Sequence, residues 1–130
     1  MRRLLASILG ILLGANALWM IATPLHWYAH IPGVAESGPA NMHFIRDIGC
    51  AFLVAALALL WLAAAPKRAW PAVLAGGAFL LLHSLIHVWD TIAGREHAHR
   101  LLAEIPTIIL PALLTLWLGW PPNSASERNL

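Results

Sequence analysis

Charge is scarce in this sequence. Of 130 residues only 11% are Asp, Glu, Lys or Arg, whereas 60% are hydrophobic and the mean hydropathy is +0.72. A soluble domain of this length has too much surface to be so apolar, so the surplus must face lipid. Cysteine is nearly missing too. Cys50 stands alone, which excludes an internal disulfide and leaves the redox compartment open. No stretch alternates apolar and polar residues with the period of a strand, and no internal repeat is evident. The basic residues are dispersed and carry no nucleic-acid-binding motif, so the net charge of +2 does not point to a nucleic-acid partner.

What the chain has instead is four apolar runs: Leu4 to Thr23, Phe44 to Ala65, Trp70 to Thr91 and Ile105 to Trp120. The first three approach the roughly 20 residues a helix needs to cross the hydrocarbon core. The fourth is shorter and contains Pro111, which predicts either a kink or a place where the bilayer thins. The expected fold is all-α, an antiparallel up-down four-helix transmembrane bundle forming one domain over 1–122, with a polar tail at 123–130. Turn signals at Pro24, Pro32-Gly33 and Gly38-Pro39 predict a loop from Pro24 to Asn41 rather than a helix. Pro66-Lys67-Arg68 reads as a short turn, and Gly94 to Ala103 as a second long loop.

The basic residues predict orientation. Arg2, Arg3, Lys67, Arg68 and Arg128 fall on one side of a four-span chain, against Arg95, Arg100 and the helix-embedded Arg46 on the other. The positive-inside rule then places both termini in the cytoplasm. Tryptophans fit interfacial belts, with Trp61, Trp70, Trp117 and Trp120 at the inner surface and Trp27 and Trp89 at the outer. Met1 to Ala17 also carries the features of a secretory signal peptide, ending in Ala15-Asn16-Ala17. The apolar run continues through Trp19, Met20 and Ile21 to Thr23, which favours a retained span. Either route delivers residue 25 to the outer side.

Against this apolar background the histidines stand out. Six of the seven lie at span ends or in the loops that this topology puts outside, and His83 lies about a turn deeper. His83, His87 and Asp90 are spaced i, i+4, i+7 and share one helical face. His43, Asp47 and Cys50 repeat that spacing on the second span, beside Arg46, and are expected to come level with the first set. Glu104 and Thr107 add polar groups at the outer start of the fourth span. Asn16, Met20 and Thr23 form a weaker polar stripe on the first.

Polar groups inside a bilayer are costly and mark functional sites. The expected site is therefore His43, Asp47, His83, His87 and Asp90, with Glu104 peripheral and Arg46 balancing charge. The competing reading is structural. Arg46-Asp47 reads as an ion pair, Cys50 as a small packing residue, and Gly76-Gly77 as a place of close helix approach or a kink. His26, His30, His97 and His99 read as ordinary interfacial residues.

Imidazole with carboxylate suits a transition metal such as zinc, copper or iron, and helix bundles build such sites from facing side chains. A b-type haem held by His43 and either His83 or His87 is a specific version of this reading, and would make the chain an electron carrier. A second class is a proton relay or transport component, since histidine titrates near neutral pH. Ala51 to Ala65 and Ala72 to Leu82 are nearly all apolar, which argues against a continuous pathway and favours a site opening only outward. A third class is a non-catalytic subunit of a larger membrane complex or a homo-oligomer. Every one of these has the lipid bilayer as a partner.

The segment Gly38-Pro39-Ala40-Asn41-Met42-His43-Phe44-Ile45-Arg46-Asp47-Ile48-Gly49 resembles the signature of small bacterial four-helix membrane proteins. In size and hydropathy the chain is similar to the DoxX-like group. The resemblance implies a multi-pass protein of the bacterial inner membrane and carries over no catalytic residue.

Overall fold

A computed structural model describes residues 1–121; the expected polar tail, Arg128 and Pro122 lie outside the described residues. Those described are helical, with no strand among them. Six α-helices are α1 (Arg2–Ala22), α2 (Pro24–His30), α3 (Met42–Ala64), α4 (Pro66–Ile92), α5 (Ala98–Glu104) and α6 (Leu110–Gly119). A π-helical turn, Ile105–Ile109, joins α5 to α6, so that Ala98–Gly119 is one continuous helical segment. That segment, α1, α3 and α4 are each long and apolar enough to cross a membrane.

Prolines set the boundaries. Thr23 and Ala65 each precede a proline, leave the α region (φ −135° and −136°), and so end α1 and α3. Pro24 and Pro66 then open the next helix at its first position, where a missing N–H costs nothing. Two expectations change as a result. Pro24 starts helix α2 rather than a loop, and Lys67 and Arg68 lie in the first turn of α4 rather than in a connecting turn. Asn41 caps α3, its side chain accepting the Phe44 N–H at 3.1 Å.

The fourth segment bends differently from the kink expected at Pro111. Pro106 lies inside the widened turn and Pro111, five residues on, lies just beyond it; across the turn the Leu110 N–H donates to the Ile105 carbonyl. Proline lacks an N–H and its ring crowds the carbonyl one turn back; a π turn relieves both. The buried Ser84 hydroxyl, shared between the Leu80 carbonyl at 2.8 Å and the Ile108 carbonyl at 3.3 Å, ties α4 to that turn.

α1 packs along α3, α3 along α4, and α4 along α6. Small residues let these helices approach. Gly10 lies against Ala56 and Leu60, Gly49 against Ala17 and Met20, Gly76 against Ala55, and Gly77 against Leu116. Gly76-Gly77 therefore serves close approach on two sides at once, to α3 and to α6. The core is aliphatic, centred on Leu9, Leu13, Leu59, Val73, Leu80 and Leu118. At the far end of the fourth segment, Arg2 donates from one guanidinium nitrogen to the Leu118 carbonyl at 3.0 Å and the Trp120 carbonyl at 2.9 Å. The first span is thereby clasped to the last.

Candidate metal centre

The face that α3 buries explains what becomes of the first histidine group. Ile45 and Gly49 pack inward, Gly49 directly against Met20 and Ala17 of α1. Residues two apart on a helix point about 200° apart, so His43 and Asp47 turn outward. Their side chains are 90% and 60% exposed, and they pair with each other at 3.4 Å. The i, i+4, i+7 spacing does place them on one face, but that face is not the one lining the bundle. Cys50 is likewise exposed rather than packed. Arg46 forms no ion pair with Asp47; its Nε donates to the Ile21 carbonyl at 3.1 Å.

α4 behaves otherwise. Its buried stripe runs Val73, Gly76, Gly77, Leu80 and Ser84, and His83 and His87 continue it toward the end of the helix. The His83 and His87 rings meet edge to face at 5.0 Å, and Phe52 and Phe79 flank His83 at 5.5 and 6.2 Å. His83 lines a cavity with Leu13, Phe52, Leu80, Thr107, Ile108 and Pro111 that has room for about one water. Asp90, one turn beyond His87, is taken by Arg95 at 2.8 Å because the chain turns back at Gly94 (φ +71°).

What closes on His87 comes from the second loop and α5. The Glu104 Oε2 stands 3.0 Å from His87 Nδ1, and both side chains are largely buried, at 16% and 24% exposed. Glu96 completes the group: one ligand atom from each of His87, Glu96 and Glu104 lies within 4.8 Å of the others. Among the described residues no other set of three potential ligands is so close. One oxygen of Glu96 is buried with no hydrogen-bond partner, and the buried Glu104 Oε2 stands against His87 Nδ1 without hydrogen-bond geometry. A partnerless carboxylate oxygen beside an imidazole–carboxylate pair forms an electron-rich pocket that a cation would satisfy.

The expected constellation is thus divided. His83 and His87 come together, Glu104 moves from the edge to the centre, and His43, Asp47, Arg46 and Asp90 stand apart. Glu96 was not singled out from the sequence. Its available signal was the i, i+4 relation to Arg100, whose guanidinium lies 3.7 Å from Glu96 Oε1.

The donor set has chemical consequences. One imidazole and two carboxylates suit zinc or another first-row divalent ion. Ligands about 2.0–2.2 Å from zinc stand roughly 3.4 Å apart, so the triangle would close by small side-chain rotations. A haem bridging His43 and either α4 histidine does not fit. His43 faces away, and the space beside His83 is the size of a water. No family model, no curated protein and no solved structure matches this chain, so the site stands on its own geometry.

Proposed function

We propose that this chain is a multi-pass protein of the bacterial inner membrane that holds a divalent transition metal at its outer face, in a metal-handling role. In this reading the four spans are antiparallel, both termini are cytoplasmic, and His87, Glu96 and Glu104 bind the ion. The observation that carries the proposal is the buried, partnerless Glu96 oxygen beside the His87–Glu104 pair. Orientation rests on Arg2, Arg3, Lys67 and Arg68 against the fewer basic residues at the other ends of the spans. An inner-membrane location rests on the resemblance of the segment from Gly38 to Gly49.

Zinc is the ion we favour, because its flexible tetrahedral geometry accepts one nitrogen and two oxygens and leaves a fourth position for water or an exchanging ligand. An ion so near the surface, with an apolar bundle beneath it, is placed to be captured and released on one side rather than conducted. The apolar inner halves of α3 and α4 favour this over transport through the bundle.

The test is elemental analysis of the detergent-purified protein, followed by zinc titration. About one metal ion per chain is expected, lost in His87→Ala. A metal-free protein that takes up no zinc, iron or copper would sink the proposal. Glu96, Glu104 and His87 would then read as a proton relay, or as a docking element of a larger complex. Orientation is read by replacing Cys50 with Ala and labelling new cysteines at Ala35 and Ser124. Only the first should react from the outer side.

A further inference from the structure

Arg100 joins the candidate centre to the loop between α2 and α3. One guanidinium nitrogen donates to the Gly33 carbonyl at 3.1 Å, the other bonds the Glu36 carboxylate, and Glu96 lies 3.7 Å from the first. Gly33 has φ +88°, a conformation that favours glycine, and a Cβ there would stand 2.9 Å from that same nitrogen, which would have to move aside. The loop is itself tied together. The Tyr28 hydroxyl reaches the Ala35 and Gly38 carbonyls, and the Ser37 hydroxyl donates to the Val34 carbonyl at 2.7 Å. Residues 31–40 therefore form one strap, held to α2 through Tyr28 and to α5 through Arg100.

We infer that Arg100 couples metal occupancy to this strap: a divalent ion bound by His87, Glu96 and Glu104 releases Glu96 from Arg100 and commits the guanidinium to Glu36 and Gly33. The inference rests on the metal-binding reading of the same site. Charge balance gives its direction. Glu36, Glu96 and Glu104 surround a single guanidinium, leaving two negative charges that a divalent ion, not a monovalent one, neutralises. The ion withdraws Glu96 and repels the like-charged guanidinium, at distances where such interactions are strong in a half-buried setting. Arg100 then has one carboxylate left, Glu36, and its planar fork keeps both strap contacts. The unoccupied site shares Arg100 between strap and centre; the occupied site gives it wholly to the strap. Metal binding is thereby made visible on the exposed surface, where a partner could read it.

Hydrogen exchange on the full-length protein in lipid nanodiscs, with and without zinc, tests the coupling, with zinc uptake measured on the same samples. Exchange of the 31–38 amides should slow about fivefold on zinc addition, the effect of strengthening one charge-assisted contact. Arg100→Gln should still take up zinc at saturating concentration yet lose this slowing, and Glu36→Gln should do the same. Zinc uptake with unchanged exchange in the unmodified protein would overturn the coupling and leave the metal site standing. Slowing that persists in both variants would remove Arg100 from the role. No uptake at all would overturn the site and the coupling with it.

Discussion

His87 on α4 and Glu104 at the end of α5 face each other at 3.0 Å, with Glu96 close enough to complete a three-residue ligand set. His43, by contrast, is 90% exposed and paired only with Asp47. His87→Ala and Glu104→Gln should therefore each weaken zinc binding at least about tenfold, a conservative bound given that losing even an outer-sphere partner has such effects. His43→Ala should leave affinity unchanged. Calorimetric titration of the three variants checks this, and equal losses in all three would count against the site.

A Cβ added to Gly76 would stand 3.0 Å from the Cα of Ala55, a backbone atom that cannot step aside. Gly76→Val should therefore spread α3 from α4, with a loss of about 1–3 kcal/mol typical of overpacking. At Gly14 the nearest atom is the Ala56 Cβ at 3.6 Å, an ordinary contact, so Gly14→Ala should be tolerated. Thermal unfolding of both variants in the same detergent makes the comparison; similar melting temperatures would refute it.

Arg2 closes the bundle by donating to carbonyls at the end of α6, where a cation also complements the helix dipole. Arg2→Lys keeps the charge on which the proposed orientation rests but loses the planar guanidinium that lies 5.5 Å over the Trp117 ring. The variant should insert with the same topology and melt at a lower temperature. An unchanged melting temperature would mean that the clasp adds nothing to stability.

Asn16 accepts the Trp27 indole N–H at 2.9 Å, and this bond holds α2 against α1. Trp27→Phe leaves the Asn16 oxygen without its donor, at a loss of about 1 kcal/mol. The double variant Trp27→Phe with Asn16→Leu should recover part of that loss, because no polar group is then stranded. A double-mutant cycle on melting temperatures measures the coupling, and simple additivity would argue against the bond.

These relationships show what could be read from the chain alone and what could not. The ends of α1 and α3 fall within two residues of the hydropathy limits, since length and apolarity are local properties. Pro24 and Pro66 misled because proline both breaks a helix and opens the next one, and only the backbone around it decides. The spacing of His43, Asp47 and Cys50 told that they share a face, but not which face. That depended on where α1 packs, through Gly49. His83 and His87 were legible because two histidines one turn apart stand inside an apolar run, and the buried stripe through Leu80 and Ser84 does reach them. Glu96 was hidden because its place depends on how the loop after Gly94 folds back, a long-range closure that no periodicity reports. Trp27, expected in an interfacial belt, spends its N–H on Asn16 and joins the weak polar stripe of the first apolar run to α2, a pairing that hydropathy does not report.

The π turn at Ile105–Ile109 sets the angular phase of the fourth segment. A π turn amounts to one inserted residue, and each residue advances a helix by about 100°. The half carrying Ala112, Thr115 and Leu118 can thus keep its packing stripe against α4 while the half carrying Glu104 is aimed independently, toward His87. Straightening this turn into an α-helix without losing a residue would rotate one half of the segment by about 100° against the other. Either the stripe or the carboxylate would then point the wrong way, so what the segment cannot lose is the widened turn itself.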